Sequence, residues 1–242
     1  MSLAEDYRRA VAALVAEQPS PELLPWALVR ACVRVLPIDG AGVSATESLR
    51  VPLAASDPVM VRAEQLQTTL GEGPCLSAAA AQRTLLANMD RMKQRWPVFF
   101  ARLVAATPYR SVMSVPLQVA GEPPFGALDL YSTDPTGGGF PALDEIDAAI
   151  GAPTAALLMD APRRVSHAGV EMPVWLDNDA ANDRMDVWVA VGILMASAGL
   201  GNDDALAALR RYARHHALSL DEVAHRLLIH ELGSTQIRYL SA

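Results

Sequence analysis

Residues 219–228 read Ser219-Leu220-Asp221-Glu222-Val223-Ala224-His225-Arg226-Leu227-Leu228, and both the start and the face of a helix are written in them. Ser219 with Glu222 three positions on is a capping box, in which each side chain satisfies the other residue's backbone donor. Leu220, Val223, Ala224, Leu227 and Leu228 follow the i, i+3, i+4, i+7, i+8 spacing of one apolar face. Upstream the same period recurs twice. Ala205, Leu206, Leu209 and Ala213 predict a helix from Asn202, read as its cap, to about His216. Val187, Ala190, Val191, Leu194 and Ala198 predict another over 180–198, stopped by Gly199 and Gly201. None of the three can bury its stripe alone, so 175–242 is expected to form a small all-α bundle.

Before the bundle, 161–174 carries Pro162 and Pro173 and no apolar period, which predicts a linker. Residues 1–160 have a different texture. Two helices are expected over 3–36, broken at Gln18-Pro19-Ser20-Pro21, and others over 58–70, 94–107 and 143–159. Strand character marks 41–46, 49–55, 84–88, 111–119 and 125–131, with Pro123-Pro124 fitting a hairpin between the last two. Strands joined mostly by hairpins and flanked by helices predict an α+β domain with a mainly antiparallel sheet.

The chain has 242 residues, 51% hydrophobic and 19% charged, enough to bury a core and too apolar for a disordered chain. A formal net charge of −7 argues against coating nucleic acid by bulk electrostatics, which depends on neutralising many phosphates. A local basic face is compatible with that total. The N-terminal residues include Glu5, Asp6, Arg8 and Arg9, the wrong pattern for a cleaved signal peptide, and no run is apolar for long enough to span a bilayer. A cytoplasmic protein without membrane partners is expected. Cys32 and Cys75 are too few for a disulfide scaffold or a four-ligand zinc site.

In Arg184, Ala190-x-Gly192-Ile193-Leu194-Met195, Ala205, Leu209-Arg210, Ala213 and the run Leu220 to Ala224, the bundle resembles the ANTAR domain. In Gly71-Glu72-Gly73-Pro74-Cys75, Arg95-Trp96-Pro97, Arg110-Ser111, Val115-Pro116-Leu117 and residues 126–132, the N-terminal part resembles the GAF domain. Together they resemble bacterial regulators that join the two. The resemblance implies a non-enzymatic homodimer that binds paired stem-loops in leader RNA and antiterminates transcription, without a cofactor. The GAF half is implied to sense a signal, with a small molecule as its candidate ligand. That family usually has a lysine where this chain has Val191, and often a polar residue at Val189. With Trp188, these predict an apolar surface on the first helix. The alternative is therefore a protein-interaction or dimerisation regulator whose degenerate ANTAR domain no longer binds RNA.

The candidate RNA contacts are Arg184, Arg210, Arg211, Arg214 and His215. Arg210 and Arg214 are i, i+4 neighbours, as are Arg211 and His215, so cations lie together on one helix away from its apolar stripe. Such a face can hold phosphates and stack guanidinium groups on unpaired bases; the plainer reading is a solvated face paired with Asp203, Asp204 and Asp221. Tyr212 is assigned to the core side. Cys75 follows Pro74 at an expected helix start, where the dipole could favour a reactive thiolate; a small buried apolar residue is the competing reading. Gly71 and Gly73 suit a sharp turn, since the Lys-Ser/Thr ending of a P-loop is missing. Trp96, Phe99 and Phe100 either line a cavity above the sheet or fill it. His225 and His230 fall on different faces of a helix, and no metal site is expected.

Overall fold

The computed structural model describes residues 2–46, 49–160, 164–167, 170–176 and 179–239. Helix α1 (Leu3–Glu17) starts from a capping box of Ser2 and Glu5 and packs on α2 (Leu24–Val35), the break between them falling at the expected prolines. Five strands follow, β1 (Gly40–Thr46), β2 (Arg50–Ala55), β3 (Leu85–Ala87), β4 (Ser111–Leu117) and β5 (Gly126–Ser132). They form one sheet in the order β2-β1-β5-β4-β3, with every neighbouring pair antiparallel. The expected α+β class with a mainly antiparallel sheet is what the chain adopts.

β4 and β5 are buried along their whole length, because helices cover both faces of the sheet. Successive side chains of a strand point to opposite faces, and the register shows where each goes. The pair Met113 and Leu130 joins the cluster under α1 and α2 with Tyr7, Leu14, Leu28, Val43 and Ile150. The pair Val112 and Tyr131 joins the other cluster with Met60, Ala63, Met92, Phe99 and Leu103. These come from α3 (Pro58–Leu70), α5 (Met89–Arg95) and α6 (Pro97–Ala106), with α4 (Pro74–Ala81) supplying Ala78. The helix expected over 94–107 is two helices meeting at Trp96, whose φ of −138° and ψ of 67° are not helical. A residue before proline is disfavoured in the α region, and Pro97 follows. The segment 143–159 is helical, as α7 (Leu143–Ile146), a π turn (Asp147–Gly151) and α8 (Ala152–Met159). The wider turn precedes Pro153, which has no N–H to continue the ladder.

In the expected linker the structure has an antiparallel hairpin, β6 (Arg164–His167) and β7 (Val170–Pro173). Beyond it Trp175 is buried in the N-terminal core, and its Nε1 donates to the Leu158 carbonyl at 3.2 Å. The N-terminal core thus reaches past residue 174, where the second domain was expected to begin, because a large aromatic ring follows the prolines.

The bundle consists of α9 (Asp179–Ala198), α10 (Asn202–His216), α11 (Leu220–Leu228) and a fourth, unanticipated helix, α12 (Ser234–Tyr239). The predicted stripes form its core: Val187, Ala190, Val191, Leu194, Ala205, Leu206, Leu209, Ala213, Leu220, Val223, Ala224 and Leu227 are buried together. Ser219 and Glu222 make the expected capping box, whereas the cap of α10 is Gly201 and Asn202 is its first helical residue. Val191 belongs to this core at 2% exposure, which corrects its assignment to an apolar surface. Residue 191 lies four positions after Val187 and three before Leu194, so its side chain turns inward with theirs. Among the described residues no single helix is long and apolar enough to cross a membrane; α9 and α10 reach that composition only as a pair bent by 109°.

Candidate nucleic-acid interface

Helix α10 presents its cations beside the N-terminal domain. α3 ends at Leu70, and Gly71 turns the chain at a φ of 68°, a left-handed conformation that favours glycine. The last carbonyls of a helix have no partner within it and lie at the negative end of its dipole. Two of them are taken from across the domain boundary. Arg210 Nε donates to the Thr68 carbonyl at 3.2 Å, and an Arg214 guanidinium nitrogen donates to that of Leu70 at 3.4 Å. A Cβ at Gly71 would stand 3.0 Å from the Arg210 Cζ, so the bare backbone lets the guanidinium approach. Burial, with Arg214 nearby, lowers the pKa of Arg210.

The five expected RNA contacts therefore separate. Arg210 is half-buried against α3, and Arg211 is half-buried next to it in sequence. Arg214 and His215 are exposed, with His216, whose ring stacks on Tyr212 at 4.1 Å. Tyr212 is half-buried against the bundle core. Arg184 is 1% exposed and pairs with Asp221 at 3.0 Å, inside the bundle rather than on its surface. The sequence carried the sign of this: Arg184 stands three residues before Val187 and seven before Val191, on the buried stripe. Arg102 of α6 was missed, and it donates to the Arg214 carbonyl at 3.3 Å. It brings a cation of the N-terminal domain to the end of α10, a neighbourhood that no local pattern encodes.

Beneath α3 lies a second arrangement. Arg50, Glu64, Gln67 and Asp129 are each no more than 2% exposed. Arg50 donates to Asp129 at 2.7 Å, to the Glu64 carboxylate, to the Glu64 carbonyl at 3.2 Å and to Ser44 at 2.8 Å. Gln67 donates to Asp129 at 2.9 Å and to the Tyr131 hydroxyl at 3.0 Å, and accepts from the Cys75 backbone N–H at 2.9 Å. The thiol of Cys75 is fully buried, and burial pushes its pKa well up. The thiol lies where the buried reading expects it, and desolvation opposes the thiolate that a helix start would favour. Gly73, with a φ of 145°, packs against Gln67, a turn role as expected. Trp96 and Phe99 fill the space beside this centre as core residues, with Phe100 packed against them.

One cation faces two carboxylates here, and burial with the Asp129 charge raises the pKa of Glu64 to about 8 against the pull of Arg50. In the unfolded chain the group returns to its ordinary value of 4.5. Between those values the folded state holds a proton that the unfolded state releases, so stability falls as pH rises through the window. Urea midpoints should decline from about pH 5 to about pH 8, and Glu64→Gln should flatten that decline. An equal slope in parent and variant would contradict the assignment.

Residues 178–228 match the family model of the ANTAR domain. That match spans α9 to α11 of the C-terminal bundle. Among the structural neighbours of the N-terminal domain is the GAF domain of a phosphoenolpyruvate-protein phosphotransferase from Coxiella burnetii, 16% identical, covering 65% of this chain and 95% of that one with a TM-score of 0.46. Free methionine-R-sulfoxide reductase from Neisseria meningitidis, in complex with its substrate, is 17% identical over 66% of this chain and 90% of that one, TM-score 0.44. The type II free methionine-R-sulfoxide reductase of Thermoplasma acidophilum is 19% identical over 66% and 96%, TM-score 0.38. Among curated proteins none matches the chain. The order of the chain is an α+β domain with GAF domains among its structural neighbours, followed by a helical bundle that matches the ANTAR domain model over 178–228.

Proposed function

We propose that the protein is a non-enzymatic regulator of transcription whose ANTAR domain binds small paired stem-loops of a leader RNA, with the N-terminal domain as its sensor. The carrying observation is the family match over α9 to α11, in a bundle whose second helix ends in a cluster of cations. Arg211, Arg214 and His215, joined by Arg102 and His216, supply charge for phosphates and planar groups for unpaired bases. Arg210, and the Arg214 nitrogen that meets the Leu70 carbonyl, become free for RNA when α10 leaves α3. Arg184 supports the fold of the bundle and not the contact.

Measured affinity for a two-stem-loop RNA should fall with salt, each phosphate contact adding about 0.7 to 0.9 to the slope of log K against log salt. Arg211→Ala and Arg214→Ala should each lower that slope by about one contact's share. Slopes identical to the parent in both variants would remove these residues from the interface.

One observation favours a protein interface in addition. Met185, Val189 and Met195 of α9 are 59%, 51% and 40% exposed, and Gly192 between them has open space where a Cβ would stand. This seam, rather than Val191, suits a second copy of the chain in a homodimer. Sedimentation of Val189→Glu should then show monomer at concentrations where the parent is dimeric, with unchanged melting; a dimer in both would exclude the seam.

A further inference from the structure

The latch between the domains and the buried polar centre are built on the same two elements. On strand β2 and the residue before it, Leu49 is buried in the bundle core, while Arg50, its neighbour, is the hub of the centre inside the N-terminal domain. Adjacent residues of an extended chain point opposite ways, so one peptide bond joins a plug in one domain to the hub of the other. On α3 the division repeats. Glu64 and Gln67 turn inward to Arg50 and Asp129, while the next three residues serve the outside: Thr68 and Leu70 through their carbonyls to Arg210 and Arg214, and Thr69 through its hydroxyl, which accepts from the Leu220 N–H at 3.1 Å. Leu220 is the first residue of α11, so this N–H is one of the donors that a helix start leaves unpaired. The exposed end of one helix and the open start of another are thus each satisfied by the other domain.

Resting on the RNA reading above, we infer that this conformation is the closed state of the regulator: the C-terminal end of α3 occupies Arg210 and Arg214 in place of RNA phosphates, and a change at the Arg50 centre releases them. The carbonyls at the end of α3 are acceptors with partial negative charge, the same demand on a guanidinium that a phosphate oxygen makes with a full charge. RNA and α3 compete for the same nitrogens. The centre has one cation against two carboxylates, and shifting Arg50 displaces Leu49, while shifting Glu64 or Gln67 displaces the last turn of α3. Either movement loosens the plug or the latch, and the equilibrium moves by as much as the signal's preference for the open state.

The test uses the whole chain with two substitutions confined to the N-terminal side. Leu49→Asp removes the plug, and Thr69→Arg wedges α11 away without touching the bundle core; far-ultraviolet circular dichroism and melting establish that each is folded. Spin labels on Asp90→Cys and Ala207→Cys report the distance between domains, and an RNA of two adjacent small stem-loops is titrated in parallel. The expected result is a single narrow distance distribution in the parent, a longer and broader one in both variants, and RNA binding at least tenfold tighter in the variants. A distance unchanged in both folded variants overturns the inference, as does a lengthened distance with RNA affinity equal to the parent's. A lengthened distance with no loop-dependent binding by any of the proteins overturns the RNA reading instead, and the inference with it.

Discussion

Arg50→Ala is expected to lower the unfolding free energy by about 3–5 kcal/mol, the usual consequence of removing one partner from a buried ion pair. The residue is 2% exposed and its guanidinium meets Asp129, Glu64 and Ser44. Without it Asp129 keeps the donors of Gln67 and Ser114 but no cation to balance its charge, and Glu64 and the Ser44 hydroxyl lose the guanidinium they face, in a place that water does not reach. Urea denaturation followed by circular dichroism measures it. Adding Glu64→Gln and Asp129→Asn to an Arg50→Met chain should recover much of the loss, since neutral groups tolerate burial better. A loss below about 1 kcal/mol in Arg50→Ala, the scale of an exposed pair, would contradict the geometry.

Arg184→Ala is the second large effect, and its sign separates a structural role from an RNA contact. The guanidinium is 1% exposed and pairs with Asp221, itself only partly exposed. Truncation breaks that pair and opens a cavity where the buried guanidinium stood, and about 3 kcal/mol or more of the bundle's stability should go with it. The melting of the bundle should fall while any RNA affinity measured on the folded fraction stays close to the parent's. A variant with parental melting and weakened, less salt-dependent binding would return Arg184 to the interface.

The parts legible in the sequence are those with a local period. The stripes from Val187 to Leu194, Leu206 to Ala213 and Leu220 to Leu227 each repeat at 3.6 residues and each became buried core, and the capping box at Ser219 sits where two residue types alone predict it. The five strands were readable from β-branched and small apolar residues between turn signals. Helix α5 was not, because Met89 and Met92 give it no stripe; its signal was Asn88, whose side chain caps it by accepting from the Arg91 N–H at 2.9 Å. The hairpin over 164–173 stayed hidden behind prolines that read as a linker. For the site, the cations of α10 were visible as i, i+4 pairs, but their docking on α3 was not, since Thr68 and Leu70 take part through backbone carbonyls that any residue has. The polar centre was equally silent, since Arg50 meets its two acidic partners 14 and 79 positions away. A trace of it existed in Glu64 and Gln67, polar residues set on the same face of α3 as the buried Met60 and Ala63.

Titration of the Leu49→Asp chain with an RNA of two adjacent small stem-loops, against the same stems with scrambled loops and at two salt concentrations, bears most directly on the ANTAR domain's role. The predicted result is binding that depends on the loops and weakens with salt. Equal binding of both RNAs, or of neither, by a chain shown to be folded would contradict it.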